Sequence, residues 1–402
     1  MERQYISIIK EELQQNRQMI FISGPRQVGK TTLAKQILSN KFKKYYLNWD
    51  DVNHRETILS GSDAIIALLE LDQLHNEKPI IVFDELHKYK HWKQFLKGFF
   101  DRFENNFPIL VTGSAKMDIY KHGGDSLMGR YFNLRLHPLS VKELIGSYDP
   151  LLTIQAPKPI EADTFEQLLQ FGGFPEPYLK KDKRFHNRWQ KLRLEQLVQE
   201  DIRDNSTIHE LKQLEVLAIV LKKNAGQGTK YSTLAKQIRV SVDTIRRWID
   251  ILESFYYCFR VRPWYSNISN SLRKEPKTYL WDWSMVTSIG EKNENFIASH
   301  LLKACHHWSD IGLGSYELFY CRTKDQKEVD FLVSKDNKPW FLVEVKTSSK
   351  SKLSPNLSWF QKQTDAKHAF QVVMDAPYVD ANVFEQNNPI KIPASTFLSQ
   401  LV

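Results

Sequence analysis

Cysteine is scarce. Three in 402 residues, Cys258, Cys305 and Cys321, are odd in number and too dispersed for a metal quartet, which argues against a disulfide framework or a zinc ribbon and points to a reduced, cytoplasmic setting. Long apolar runs are missing too. Stretches such as residues 217–221 fall far short of the roughly 20 residues a membrane-spanning helix needs, and the opening Met-Glu-Arg-Gln starts no signal-peptide core. The expectation is a chain neither secreted nor inserted in a membrane. There is no internal repeat or low-complexity tract, and 26% charged beside 42% hydrophobic residues leaves little room for wholesale disorder. A length of 402 residues allows two or three domains, each with its own core. The formal charge of +9 suits nucleic acid or another anionic ligand, although the excess is small against the total charge.

What is present is an alternation. Short β-type apolar runs at residues 18–23, 45–49, 80–83, 109–112 and 131–136 are separated by helical or charged stretches, a pattern that predicts an α/β fold with a parallel sheet covered by helices. A first domain is expected over residues 1–145. Residues 150–159 read as a proline-bearing connector, and residues 146–225 as a helical linker or lid interrupted by Gly172-Gly173-Phe174-Pro175, a turn that glycine and proline both force. Residues 226–284 suggest a winged-helix domain: two short helices capped by Ser232 and Ser241, then a strand. Residues 285–402 begin with a helix and continue with three strands, the last two joined by an Asp336-Asn337 hairpin turn.

Residues 24–32 carry the chemistry most plainly. Gly24, Pro25, Arg26, Gln27, Val28, Gly29, Lys30 and Thr31, followed by Thr32, match G-x-x-x-x-G-K-[ST] between a predicted strand and a predicted helix. Glycine is needed because the backbone must wrap the phosphates closely, while its N–H groups and the helix N-terminus supply positive potential. Lys30 is expected to reach the β- and γ-phosphates of ATP, and Thr31 to ligate Mg²⁺. The apolar run ending in Asp84 and Glu85 has the form of a strand that delivers one acid to the metal and a second to the attacking water. Ser114, or alternatively Thr112, is placed to sense the γ-phosphate; the bland alternative for Ser114 is a cap on the next helix. Arg130 is the candidate charge-stabilising arginine, in its own subunit or on a neighbour, and equally a solvated surface residue.

With these motifs in order, residues 1–145 resemble the AAA-type ATPases that have an additional catalytic glutamate. The wider chain is similar to a prokaryotic family of ATP-binding proteins with a C-terminal region of unknown function. The resemblance rests on residues 24–32, 82–86, 112–114, 172–175, the winged-helix stretch and residues 322–344. It implies a restriction-endonuclease-like, PD-(D/E)XK fold at the C-terminus. Nucleases of that fold set an Asp and a Glu-x-Lys on adjacent strands, with a helical Glu nearby, to hold Mg²⁺ and orient water. The matching residues are Glu294, Asp330, Glu344 and Lys346, the last two on one face of their strand. No proline directly precedes Asp330, and the bland reading is a row of alternating charges on the wet side of a hairpin. Arg246 and Arg247, on the second winged-helix helix, are the expected DNA contacts, or else solvated groups of an interdomain adaptor. The function expected is an Mg²⁺-dependent ATPase acting on DNA. The alternative is a slow nucleotide-controlled switch that recruits a protein partner and has an inactive nuclease-like domain, with a homo-oligomer left open.

Overall fold

The computed structural model describes residues 3–38, 45–71, 78–113, 127–146, 148–150, 152–203, 208, 210–264 and 275–402. The chain divides into two compact units, Met1–His137 and Pro138–Val402.

The first unit is built on five parallel strands, β1 (Met19–Ser23), β2 (Tyr46–Asn48), β3 (Ile81–Asp84), β4 (Ile109–Gly113) and β5 (Tyr131–Arg135), in the spatial order β2-β3-β4-β1-β5. β1, β3 and β4 are buried along their whole length, as expected of strands with both faces covered. Because all five run the same way, their C-terminal ends form one edge, where ligands bind in open α/β sheets. That edge carries Ser23 with the following loop, Asp84 and Gly113. Inserting β4 between β1 and β3 sets Thr112 beside the acid-bearing strand, since Phe83 is level with Val111.

The second unit holds a seven-stranded mixed sheet. Its strands are β6 (Cys258–Pro263), β7 (Lys277–Leu280), β8 (Tyr316–Arg322), β9 (Glu328–Lys335), β10 (Lys338–Lys346), β11 (His368–Val373) and β12 (Ile390–Pro393), ordered β12-β11-β10-β9-β8-β6-β7. The long helix Ile289–Asp310 packs against the sheet through Phe296, Ile297, Leu301 and Trp308. Asp336 and Asn337 both take left-handed backbone angles, giving the expected two-residue turn. β6 joins β8 in parallel through Arg262 and Pro263, so the β6–β7 hairpin is continuous with the C-terminal sheet.

Residues 138–145, read from sequence with the first domain, pack in the second unit. Lys303 donates to the carbonyl of Pro138 at 3.1 Å and to Ser140 at 3.0 Å, and pairs with the buried Glu143 carboxylate. The Gly-Gly-Phe-Pro turn also has an architectural reason: a Cβ on Gly173 would come 2.6 Å from both the Leu139 carbonyl oxygen and the Trp283 ring. Gln155, in the proline-bearing connector, is buried and bonds the backbone of Gln400 at 2.8 Å.

Candidate functional site

The phosphate loop leaves β1 at Gly24 and closes on the helix Lys30–Ile37. Gly29, at the helix N-cap, has φ of 101°, a left-handed angle that glycine adopts without a Cβ clash. At Gly24 the reason is space: a Cβ there would lie 2.4 Å from the Leu136 carbonyl oxygen. The loop is pinned from beneath by Arg3, a residue that sequence reading passed over. Its guanidinium is buried and donates to the Val28 carbonyl at 2.9 Å and to that of His137 at 2.5 Å. Lys30 is buried, with its ammonium donating to the carbonyls of Gly24 at 3.0 Å and Pro25 at 2.7 Å. Val28 is buried, Arg26 half-buried, and Gln27 and Thr32 exposed.

Asp84 is the hub. It is buried, and three hydroxyls converge on its carboxylate: Thr31 at 2.8 Å and Tyr46 on one oxygen, Thr112 on the other. Burial, and then the adjacent Asp84 carboxylate, push the Tyr46 phenol well above its ordinary pKa, so it remains a donor. Thr31 and Asp84 were expected together. Thr112 was named as an alternative sensor, and here its hydroxyl serves the acid. Tyr46, on β2, carries no motif; only strand register brings it in. Ser114 lies outside the described residues.

Glu85 follows with φ of 56°, a left-handed angle uncommon for a residue with a side chain. Its carboxylate lies 3.4 Å from Lys88, whose ammonium also bonds Asp50, and 3.9 Å from His87 Nε2. His87 is a second residue that sequence reading missed. Burial lowers its pKa against the pull of Glu85, with the positive charges of Lys88, Lys30 and Arg26 adding to the effect.

Arg130 sits elsewhere. It precedes β5, and its carbonyl accepts from Met19 at the start of β1, so it lies at the edge where strands begin. The five residues of β5 put roughly 15 Å between that edge and the phosphate loop. Its guanidinium forms a two-pronged pair with Asp101 at 2.6 and 3.0 Å. This hydrogen bonding raises the pKa of Arg130 and lowers that of Asp101. The geometry gives no support to Arg130 acting on a nucleotide in its own subunit.

In the second unit, Glu294, Asp330, Glu344 and Lys346 do come together, and Lys277, Glu328 and Tyr279 join them. Lys346 bonds Glu344 at 2.7 Å, the Val345 N–H donates to Asp330 at 2.8 Å, and Tyr279 donates to Glu294 at 2.6 Å. Burial, then the neighbouring Asp330 charge, push the Glu294 and Glu344 carboxyls up to about 7. Burial also raises Asp330. Desolvation pulls Lys346 down, but its bond to Glu344 and the charges of Glu344, Asp330 and Glu294 together outweigh it and raise its pKa. The second Glu344 oxygen is buried without a hydrogen-bond partner. Lys277, on β7, carries no motif, and only the fold brings it to these acids; its ammonium is within 3.0 Å of both Glu294 and Glu328.

Arg246 and Arg247 are exposed on the helix Val242–Ser254. Arg246 lies 3.4 Å from Asp243. The nearby Arg260 is committed to Asp250 at 2.6 Å and to Glu253.

Three stretches of the chain match known protein families. Residues 16–145 match an AAA domain, residues 162–295 the domain of unknown function DUF8612, and residues 289–393 the domain of unknown function DUF4143. An uncharacterized protein of Methanocaldococcus jannaschii is 24% identical over 331 residues, covering 79% of this chain and 72% of its own length. One of Mycobacterium tuberculosis is 22% identical over 346 residues, covering 84% and 72%. Among solved structures, AMPPCP-bound DnaA from Aquifex aeolicus is similar over 61% of this chain and 86% of its own, with 16% identity and a TM-score of 0.31. No helix among the described residues is long and apolar enough to cross a membrane. Residues 16–145 thus match an AAA domain, and two regions that match domains of unknown function follow.

Proposed function

We propose that the chain is an Mg²⁺-dependent ATPase whose nucleotide state is coupled to a C-terminal half that engages DNA without cutting it. The observation that carries the ATPase reading is the convergence of Thr31, Tyr46 and Thr112 on the buried Asp84 at the mouth of a phosphate loop. Thr31 and Asp84 supply an alcohol and a carboxylate at the sheet edge, the oxygen donors that a hard divalent cation takes. Mg²⁺, when bound with the nucleotide, would neutralise charge on the β- and γ-phosphate oxygens.

The chain's own residues do the rest. The loop N–H groups and the helix N-terminus cradle the phosphates, and Lys30 exchanges a loop carbonyl for phosphate oxygen as it adds its charge. Glu85 orients a water for attack on the γ-phosphorus and accepts its proton as the bond to the β-phosphate oxygen breaks. Lys88, 3.4 Å away, restrains that carboxylate. Tyr46 and Thr112 keep Asp84 in one orientation, a positioning role. A Lys30→Ala variant that still binds and turns over ATP like the parent contradicts this reading.

The DNA reading rests on element order. The helix Leu211–Lys223, the Gly228 bridge to Lys277, the helices Tyr231–Ile238 and Val242–Ser254 and the β6–β7 hairpin follow the winged-helix sequence of elements. Lys230, Lys236, Arg239, Arg246 and Arg247 are exposed along it, a set suited to phosphate and groove contacts. Affinity for duplex DNA that falls steeply with salt, and drops in Arg246→Ala/Arg247→Ala, is the expected result. A second reading, a switch that recruits a protein partner, is favoured by the acids Asp243, Asp250 and Glu253 on the same helix. Its signature is indifference to DNA in both binding and ATP turnover.

A further inference from the structure

The acidic pocket of the second unit already contains a cation. Lys277 opens β7 with its side chain 5% exposed, and its ammonium lies 2.6 Å from Glu328, 3.0 Å from Glu294 and 3.7 Å from Asp330. Two of those carboxylates stand two residues apart on one face of β9 and one comes from the long helix, so three separate acids point at one nitrogen. A divalent metal in such a pocket needs oxygens at about 2.0–2.6 Å and pays heavily for a like charge beside it. The acids are further engaged: Tyr279 donates to Glu294, the Val345 N–H to Asp330, and Lys346 to Glu344. Among the described residues, no group of three His, Cys, Asp or Glu side chains could hold a metal ion. The Mg²⁺ that a restriction-endonuclease-like fold implies does not fit these side chains as they are arranged.

We infer that Lys277 is the resident cation of this pocket: its ammonium takes the place of a divalent metal among Glu294, Glu328 and Asp330, and the site works as a clamp. What it clamps follows from β7. The Gly226 N–H donates to Thr278 at 2.8 Å, Gly228 bridges Lys277, and Thr229 bonds both Pro276 and Thr278. The ion pairs of Lys277 therefore fasten the loop that leads into the Tyr231–Ile238 and Val242–Ser254 helices to the Asp330-bearing strand. The buried Glu344 oxygen that lacks a partner marks where a cation would settle if the lysine were withdrawn.

The test is Mn²⁺ binding to the nucleotide-free full-length chain, followed by the electron paramagnetic resonance of free Mn²⁺. The parent and Lys277→Arg are expected to show no saturable binding that Asp330→Asn removes. Lys277→Met is expected to gain one equivalent, at least tenfold tighter than any in the parent, that disappears in Lys277→Met/Asp330→Asn. Its Tm should fall relative to the parent and be raised again by Mn²⁺. Saturable binding by the parent that Asp330→Asn abolishes overturns the inference, and this arm needs no lysine variant to fold. A folded Lys277→Met that takes up no Mn²⁺ overturns it as well. Because ATP is left out, failure here leaves the nucleotide reading untouched, and failure of ATP turnover leaves the clamp untouched.

Discussion

Replacing Gly24 by alanine asks whether the first turn of the phosphate loop is set by contact with Leu136, the residue after β5. The added Cβ would lie 2.4 Å from the Leu136 carbonyl oxygen, whereas ordinary carbon–oxygen contact starts near about 3.3 Å. The loop or the carbonyl must therefore give by about 0.9 Å. The carbonyl is poorly placed to yield: the Leu136 N–H is bonded to the Ser23 carbonyl at 2.8 Å, and the next carbonyl, His137, is held by Arg3 at 2.5 Å. The loop moves instead, taking the phosphate-binding N–H groups with it. A displacement of about 1 Å at a positioning group costs on the order of 100-fold in rate, or about 2.7 kcal/mol of barrier. The assay is steady-state ATP turnover across an ATP titration, with Gly98→Ala as control. Gly98 lies in the helix Trp92–Phe103 with nothing within 4 Å of a new Cβ, so alanine there should leave turnover unchanged and add about 1 kcal/mol of stability. A Gly24→Ala protein that keeps a third or more of the parent's turnover refutes the reasoning.

Arg3→Ala removes the donor to two carbonyls beneath the loop and should raise KM for ATP while costing about 1–3 kcal/mol in urea unfolding of the first unit; an unchanged KM contradicts the positioning role. Lys303→Met strands the Glu143 carboxylate, whose side chain is 0% exposed, at a cost of about 3–5 kcal/mol. Lys303→Met/Glu143→Leu should recover most of that loss, and a double variant as unstable as the single one rules out the buried pair as the cause. The pH dependence of stability supplies another check. Glu344 is pushed from 4.5 to about 7 by burial and then by Asp330, so the folded state binds more protons than the unfolded one between those values, and this group's contribution falls as pH rises through them. His300 and His307, lowered to about 3 chiefly by burial, act in the opposite direction, so the difference between variant and parent is the quantity to follow. Glu344→Gln should gain on the parent as pH rises from about 5 to 7, and a difference that stays flat over that range contradicts the assignment.

Much of the first unit was legible because its signals are contiguous. The eight residues from Gly24 to Thr31 encode their own turn, and the apolar runs ending at Asp84 and Gly113 declare strands that finish at one edge. What escaped depends on pairing between distant segments. Tyr46 reaches Asp84 because Asn48 is level with Asp84 across β2 and β3, and no local pattern states that register. Arg3 reads as an ordinary terminal arginine until folding sets it between Val28 and His137. Glu294, Asp330, Glu344 and Lys346 could be named through the resemblance, but Lys277 could not, because β7 is separated from β9 by two strands in the sheet and no local pattern states their approach. Residues 138–145 follow β5 directly in sequence, and a buried ion pair with Lys303 packs them in the second compact unit. Arg130 precedes β5, and a strand's start lies at the edge away from the loop.

The central claim is that Glu85 activates water for attack on a nucleotide held by Lys30, Thr31 and Asp84. Phosphate release and nucleotide retention measured together on the parent and on Glu85→Gln, in Mg²⁺ and ATP, test it most directly. The account predicts that Glu85→Gln binds ATP like the parent, hydrolyses it at least 100-fold more slowly, in the range general-base removal costs, and is recovered with ATP rather than ADP bound. A Glu85→Gln protein that releases phosphate at the parental rate contradicts it.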